Sequence, residues 1–125
     1  MIGYVTLGTN DFDRSKEFYD ELFGTLDIGR FMEMETFIAW SPGPHAPAVS
    51  IIKPYDGQPA TVGNGVMVAL LVDSPEKVQA LHAKALELGG KDEGPPGPRG
   101  DSGFYAAYFR DLDGNKLNAF CMTGG

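Results

Sequence analysis

The side chains best suited to chemistry are few and are scattered along the chain. The two histidines, His45 and His82, stand in a Pro-Gly loop and on a predicted helix, and their spacing matches no metal-binding motif. We expect both to be surface or partly buried structural residues. The single cysteine, Cys121, has no partner for an internal disulfide and lies in an apolar terminal run, which indicates a buried, inert thiol.

A pair of carboxylates is the best candidate for acid/base chemistry. Glu33 and Glu35 alternate with apolar residues in a predicted strand, so both side chains lie on one face of that strand. This face is either solvated or directed into a ligand cavity. In a cavity, mutual repulsion and desolvation would raise a carboxyl pKa into the general-acid range. No local nucleophile motif such as Gly-x-Ser-x-Gly is present.

The acidic segment Asp111-Leu-Asp-Gly-Asn115 is similar to the start of a calcium loop. An EF-hand loop needs a glycine at its sixth position and a glutamate at its twelfth, whereas Lys116 and Met122 occupy those places here. The Asp-Gly pair is instead a strong hairpin signal. We therefore predict a turn that joins two strands, 104–110 and 116–122.

The elements that position these residues occur twice. The segment Tyr4-Val-Thr-Leu-Gly-Thr-Asn10 and the helix after it are echoed 63 residues later by Met67-Val-Ala-Leu-Leu-Val-Asp73 and a second helix. Each copy has the order strand, helix, strands, and such units bury their apolar faces against one another. We predict one domain with module one at about 1–55, a linker at about 56–65 and module two at about 66–125. A functional site should lie between the modules.

Within the modules, the pattern of apolar, Gly and Pro residues predicts the individual elements. The first helix is predicted at 12–23, and residues 30–40 and 48–52 are each predicted as a strand. The second helix begins after Ser74, a predicted N-cap. Residues 91–103 contain three prolines and four glycines and are predicted to form a long loop, which could act as a lid.

Composition favours a small molecule or another protein as the partner. A chain of 125 residues with 42% apolar side chains can bury a sizeable core. The net charge of −7 and the scattered Lys and Arg residues argue against nucleic acid. Because no apolar run approaches the roughly 20 residues of a membrane span and no secretory leader is present, we expect no membrane partner and a cytoplasmic location.

In their order and spacing, these motifs resemble the vicinal oxygen chelate superfamily, which includes glyoxalase I, bleomycin-resistance proteins and extradiol dioxygenases. The resemblance covers essentially the whole chain. It is carried by the repeated module and by Asp11-Phe-Asp-Arg-Ser15, Phe18-Tyr19 and Asp111-Leu-Asp-Gly-Asn-Lys116. It implies an α+β fold of two tandem βαβββ modules that form a cupped mixed β-sheet with the helices outside. It also implies a homodimer, in which modules are sometimes exchanged between chains.

The resemblance further implies where a metal would bind. Metal-holding members place His, Gln or Glu on the first and last strands of each module. Here those positions hold Tyr4, Met67, Asn118 and Ile51, or Ser50 in place of Ile51 if the register shifts by one residue. These side chains do not supply the three imidazole or carboxylate ligands that zinc, nickel or ferrous iron requires. We expect no metal and no other cofactor.

By the same resemblance, the cup has an apolar and aromatic lining with few polar groups. The candidate pocket residues are Tyr4, Trp40, Met67, Tyr105, Tyr108 and Asn118. Such a lining suits a planar or largely apolar organic ligand. Tyr105 and Tyr108 cannot both face one side of a regular strand, so one of them belongs to the core.

Three kinds of function remain open at this stage. The first is a metal-free protein that binds and sequesters a small organic ligand. The second is an enzyme similar to a glyoxalase-like lyase, an isomerase or a dioxygenase, which would use either unforeseen metal ligands or metal-free acid/base catalysis by Tyr4 or the strand carboxylates. The third is a non-catalytic interaction protein whose cup is filled by its own side chains.

Overall fold

The computed structural model describes residues 1–124 and consists of two similar halves. The first half contains β1 (Tyr4–Gly8), α1 (Phe12–Gly24), β2 (Arg30–Met34), β3 (Phe37–Trp40) and β4 (Ala48–Ile52). The second half contains β5 (Val68–Leu71), α2 (Pro75–Glu87), β6 (Lys91–Pro98), β7 (Phe104–Arg110) and β8 (Lys116–Met122). The predicted α+β fold of two tandem βαβββ modules is confirmed.

Each half forms its own four-stranded sheet. The strand orders are β1-β4-β3-β2 and β5-β8-β7-β6, and in both sheets the first pair is parallel and the other pairs are antiparallel. Thr6 pairs with Ser50 in the first sheet, as Ala69 pairs with Asn118 in the second. The two sheets are not hydrogen-bonded to each other, so β1 and β5 are both edge strands.

Both helices begin at side chains that cap them. The Asp11 carboxylate accepts a hydrogen bond from the backbone N–H of Arg14, and the Ser74 hydroxyl accepts one from the N–H of Lys77. These bonds satisfy amide groups that have no partner within the first helical turn. None of the helices within residues 1–124 is long and apolar enough to cross a membrane.

A single apolar core joins the two halves. It takes buried side chains from both helices and from the helix side of both sheets, among them Leu22, Trp40, Ile51, Leu81, Phe109 and Leu117. Since one face of each sheet packs on this shared core, the opposite faces point away from the core. The core thus determines which side chains are left free to meet a ligand.

A buried polar cluster also connects the halves at the predicted turn. The Asp111 carboxylate accepts hydrogen bonds from the Tyr19 hydroxyl, from the Asn115 side-chain amide and from the backbone N–H groups of Asp113 and Asn115. Asn115 Nδ2 also donates to the carbonyl of Gly8, 3.0 Å away in the other half. Burial raises the pKa of both the Tyr19 hydroxyl and the Asp111 carboxyl. The predicted turn is confirmed. Through its hydrogen bonds to Tyr19 and Gly8, it also connects the second half to the first.

Two predicted elements were wrong. Residues 30–40 form the two strands β2 and β3, which pair antiparallel around a turn at 35–36 and have a register shift between Arg30 and Met32. Neither turn residue is Gly or Pro, so the sequence carries no strong break signal there.

The second error concerns the predicted loop at 91–103. Its first eight residues form β6, which pairs with β7 from Lys91 opposite Arg110 to Pro98 opposite Tyr105, with two register shifts. Because β6 is an edge strand, its prolines remove no hydrogen bond that the sheet interior needs. These residues belong to the sheet and do not form a lid.

Candidate functional site

Strand alternation and pairing assign the side chains that lie on the solvent side of each sheet. We call these sides the first and the second cup face. The first cup face includes Tyr4, Thr6, Met32, Met34, Phe37 and Ser50. The second cup face includes Ala69, Leu71, Tyr108, Lys116, Asn118 and Met122.

The first cup face is apolar and open. The Tyr4 side chain is 63% exposed, and its ring meets the edge of the Phe37 ring at a centroid distance of 6.1 Å. Met32 and Met34 are exposed on the same face. At its centre, Ser50 Oγ is satisfied, since it donates to the carbonyl of Val5 at 2.7 Å. This face offers contact area but few free polar groups.

The second cup face combines an aromatic ring with cations and a buried amide. Tyr108 pairs with Asn118 across β7 and β8, and Lys116 lies on the same face two residues from Asn118. The Lys116 Nζ and the Arg99 Cζ each lie 5.5 Å from the Tyr108 ring centroid. Met67, one residue before β5, lines a groove together with Lys116. This face therefore has both apolar and polar contacts to offer.

Trp40 and Tyr105, which were expected in the pocket, lie on the core side of their sheets. Trp40 packs against the rings of Tyr19 and Phe23, and its Nε1 donates to Asp20 at 3.0 Å. Tyr105 packs against the core, and its hydroxyl accepts a hydrogen bond from a helix glutamine. Of the two tyrosines on β7, Tyr108 is the one on the cup face. Tyr4, Tyr108 and Asn118 lie on cup faces, and Met67 borders the second.

The paired carboxylates do not lie in a cup. Glu33 is opposite Ile38, a core-side residue, and its exposed carboxylate forms an ion pair with Arg30. Glu35 lies in the turn between β2 and β3. Of the two orientations left open by the sequence, Glu33 adopts the solvated one, so the acid/base hypothesis loses its strand carboxylates.

The His82 and Cys121 side chains also lie away from the cup faces. His82 Nε2 is 2.9 Å from Asp92 Oδ1, which links α2 to β6. The Asp92 pKa is lowered by a hydrogen bond from the Gly94 backbone and by His82. Cys121 is buried on the core side of β8, where desolvation raises the pKa of its thiol. His45 lies in the loop before β4.

The side chains at the family's metal-ligand positions do not fit a divalent metal. Ile51 is fully buried in the core, so the alternative residue, Ser50, is the one on the cup face. The donor set is then Tyr4, Ser50, Met67 and Asn118, which contains no imidazole and no carboxylate. Within residues 1–124, no three His, Cys, Asp or Glu side chains form a group that could hold a metal ion.

Sequence reasoning missed Lys116 and Arg99 as cup residues. The signal for Lys116 was present, because alternation along β8 places it on the same face as Asn118. Arg99 carries no such signal, since it lies in the Pro- and Gly-rich segment 91–103, whose composition predicts a loop and not β6.

Paired βαβββ modules with outward cup faces define the class of fold, and a family comparison assigns the chain more narrowly. Residues 1–119 match the model of the Glyoxalase/Bleomycin resistance protein/Dioxygenase superfamily. The chain belongs to this superfamily. A comparison with curated proteins finds no match to the chain.

Solved structures agree with this assignment. A glyoxalase/bleomycin resistance protein from Albidiferax ferrireducens T118 is 41% identical, with 97% of this chain and 98% of that chain covered and a TM-score of 0.87. Lactoylglutathione lyase from Agrobacterium tumefaciens is 18% identical, with 97% and 92% covered and a TM-score of 0.70. A fosfomycin resistance protein from Listeria monocytogenes is 17% identical, with 99% and 94% covered and a TM-score of 0.72. The last two show a shared fold alone.

Proposed function

We propose that this protein binds and sequesters a small, largely apolar or aromatic organic molecule in a metal-free cup. In this proposal the protein is a homodimer, and each cup is built from the first cup face of one chain and the second cup face of its partner. Binding free energy, rather than a chemical step, would accomplish the function.

The observation that carries the proposal is the exposure of apolar side chains on both cup faces. Tyr4, Met34, Leu71 and Met122 are all more than half exposed. Apolar surface of this kind on a small protein marks a binding region. Methionine is flexible and polarizable, so a methionine-lined surface can adapt to ligands of different shapes.

The position of the two faces supports a cup shared between chains. Both faces point away from one shared core, so a single chain does not bring them together. The edge strands β1 and β5 also leave backbone hydrogen-bonding groups without a neighbouring strand. A second copy of the chain can cover both edge strands. In such a dimer, the first cup face of each chain lies opposite the second cup face of the other chain.

Binding is tested with Nile red, a neutral apolar dye whose fluorescence increases in apolar surroundings. We expect a saturable increase with the wild-type protein. Tyr4→Asp, which places a charge on the first cup face, should weaken dye binding, whereas Glu87→Gln at the end of α2 should not. Absence of a saturable signal with wild-type protein would contradict the proposal.

The metal-free part of the proposal needs a separate measurement. Tag-free protein purified without chelators is incubated with nickel, zinc, manganese and ferrous iron, and its metal content is measured by inductively coupled plasma mass spectrometry. We expect near-zero stoichiometry after desalting. About one tightly held metal per chain would overturn this part and make lyase and dioxygenase assays the next step.

A further inference from the structure

The second cup face carries positive charge although the whole chain is acidic. The net charge is −7, yet Arg99 and Lys116 both approach the Tyr108 ring. Neither side chain forms an ion pair within residues 1–124, whereas nearby Arg110 pairs with Glu93. Glu93 lies within range of the Lys116 charge, but its carboxylate is paired with Arg110. Two half-buried cations that no carboxylate pairs with directly are an electrostatic feature that an anion would complement.

The guanidinium of Arg99 is held in place by β6. Its Nη1 donates to the carbonyl of Gly97 at 2.8 Å, and its Nη2 donates to that of Pro95 at 2.7 Å. A Cβ added at Gly94 would lie 3.2 Å from Arg99 Nη2 and 3.1 Å from Tyr108 Cδ1. The glycine at position 94 therefore leaves the room that the guanidinium occupies beside the ring.

A buried acceptor without a donor lies on the same face as Lys116. Asn118 is 2% exposed, and its Oδ1 has no hydrogen-bond partner. Asn118 pairs with Tyr108 and lies two residues from Lys116, so the backbones of Lys116 and Asn118 are about 7 Å apart along β8. An unpaired buried carbonyl is costly, and a ligand O–H or N–H would satisfy it once the amide turns towards the cup, since Oδ1 is shielded from solvent in the free chain.

We propose that the second cup face binds a small aromatic organic anion that carries a hydroxyl or amine donor on its ring. Lys116 and Arg99, which both approach the Tyr108 ring, attract the anionic group, Tyr108 contacts the ligand ring, and Asn118 Oδ1 accepts from the ligand donor. This inference rests on the proposed function, because it names the ligand class of the same cup.

The test uses 3-hydroxybenzoate and two probes that each differ from it by one group. 3-Hydroxybenzoate has both the carboxylate and the hydroxyl, benzoate lacks the hydroxyl, and 3-hydroxybenzamide lacks the negative charge. Dissociation constants are measured by isothermal titration calorimetry at low salt. We expect 3-hydroxybenzoate to bind about fivefold more tightly than either of the other two, the effect of one charge pair or hydrogen bond.

Two variants assign these differences to residues. Lys116→Gln should abolish the preference for 3-hydroxybenzoate over 3-hydroxybenzamide, while Lys84→Gln on α2, which removes the same charge elsewhere, should leave it intact. Asn118→Val should abolish the preference for 3-hydroxybenzoate over benzoate. Circular dichroism checks that each variant is folded, and Lys116→Gln alone suffices if Asn118→Val fails to fold.

The outcomes separate this inference from the proposed function. If Nile red binds but the three probes bind equally, or if Lys116→Gln keeps the charge preference, the anion-binding inference is overturned and the apolar cup remains. If neither Nile red nor any probe binds, the proposed function itself is overturned and the inference falls with it.

Discussion

Ser50 and Asn118 occupy equivalent positions at the centres of the two cup faces, but they differ in whether their polar atoms have hydrogen-bond partners. Ser50 Oγ donates to the carbonyl of Val5 and approaches the Thr6 hydroxyl, whereas Asn118 Oδ1 has no partner. A satisfied buried group stabilises the fold, and an unsatisfied one destabilises it until something binds. We expect ligand binding to remove the free-energy cost of the unpaired Asn118 Oδ1.

This difference predicts opposite effects on thermal stability. Asn118→Val removes the unpaired carbonyl and should leave the free energy of unfolding unchanged or raise it by about 1 kcal/mol. Ser50→Ala removes a satisfied hydroxyl and should lower it by about 1 kcal/mol. Differential scanning calorimetry of the ligand-free variants checks both values. A large loss of stability in Asn118→Val would show that the amide is structural.

At this scale, strand alternation from the sequence could limit the tyrosine choice to one of two but could not say which. The outcome depended on the core, which takes Tyr105 and leaves Tyr108 on the cup face. Trp40 was misplaced for the same reason, since a large aromatic side chain suits a core and a pocket equally well.

At the scale of elements, α1 and the first sheet are joined by Asp20. Its carboxylate accepts hydrogen bonds from Arg30 Nε at 2.9 Å and Nη2 at 2.7 Å, and from Trp40 Nε1 at 3.0 Å. Arg30, with a smaller contribution from Trp40, lowers the pKa of the Asp20 carboxyl. The link is partly solvent-exposed, so its contribution is modest.

We predict that Asp20→Asn lowers stability in a pH-dependent way. A carboxyl whose folded pKa is lowered stabilises the fold at pH values above its ordinary pKa of 3.8, and this stabilisation is lost as the pH falls through the lowered folded value. Wild type and variant should therefore differ at about pH 6 by roughly 0.5–1 kcal/mol and converge once the pH falls below the lowered folded pKa of Asp20. Urea unfolding at several pH values measures this difference. A gap that widens towards low pH would contradict it.

The helices could be predicted from local sequence signals, whereas the strand β6 could not, because it depends on its place at the edge of the sheet. The helices carried caps and an apolar stripe, and their predicted starts after Asp11 and Ser74 are confirmed. The β6 strand was missed because Pro and Gly are rare in strand interiors but are tolerated at a sheet edge. Whether a strand is central or at an edge depends on tertiary pairing, which local sequence does not encode.

At the scale of the whole molecule, the buried cluster around Asp111 holds the halves together. We predict that Asn115→Ala lowers the free energy of unfolding by about 2 kcal/mol, because it removes the bond to Gly8 and leaves part of the Asp111 carboxylate unpaired. Gln58→Ala at an exposed position is the control. Denaturant unfolding provides the values, and equal stability of the two variants would contradict this role.

The proposed dimer can be tested with a charge placed on the second cup face. Leu71 is 70% exposed on the second cup face, and burying a charge there in a dimer is unfavourable. Leu71→Glu should therefore shift the protein from dimer to monomer in size-exclusion chromatography with light scattering. Leu86→Glu, on α2, should leave the dimer intact. A monomeric wild-type protein would contradict the shared cup.

The repeat in the sequence was sufficient to predict two modules, but it could not reveal how they face each other. That arrangement depends on which apolar side chains form the common core. Because both helices and both sheets contribute to that core, each cup face points away from it.

Chemical-shift mapping by heteronuclear NMR can show whether a ligand contacts both cup faces at once. Assigned protein is titrated with 3-hydroxybenzoate, and the amide shifts are followed at Tyr4 and Phe37 on the first cup face and at Tyr108 and Asn118 on the second. We predict that both faces respond together with one dissociation constant, since two chains would contribute to each cup. Shifts confined to one sheet, or located on the helices, would contradict a cup built between two copies.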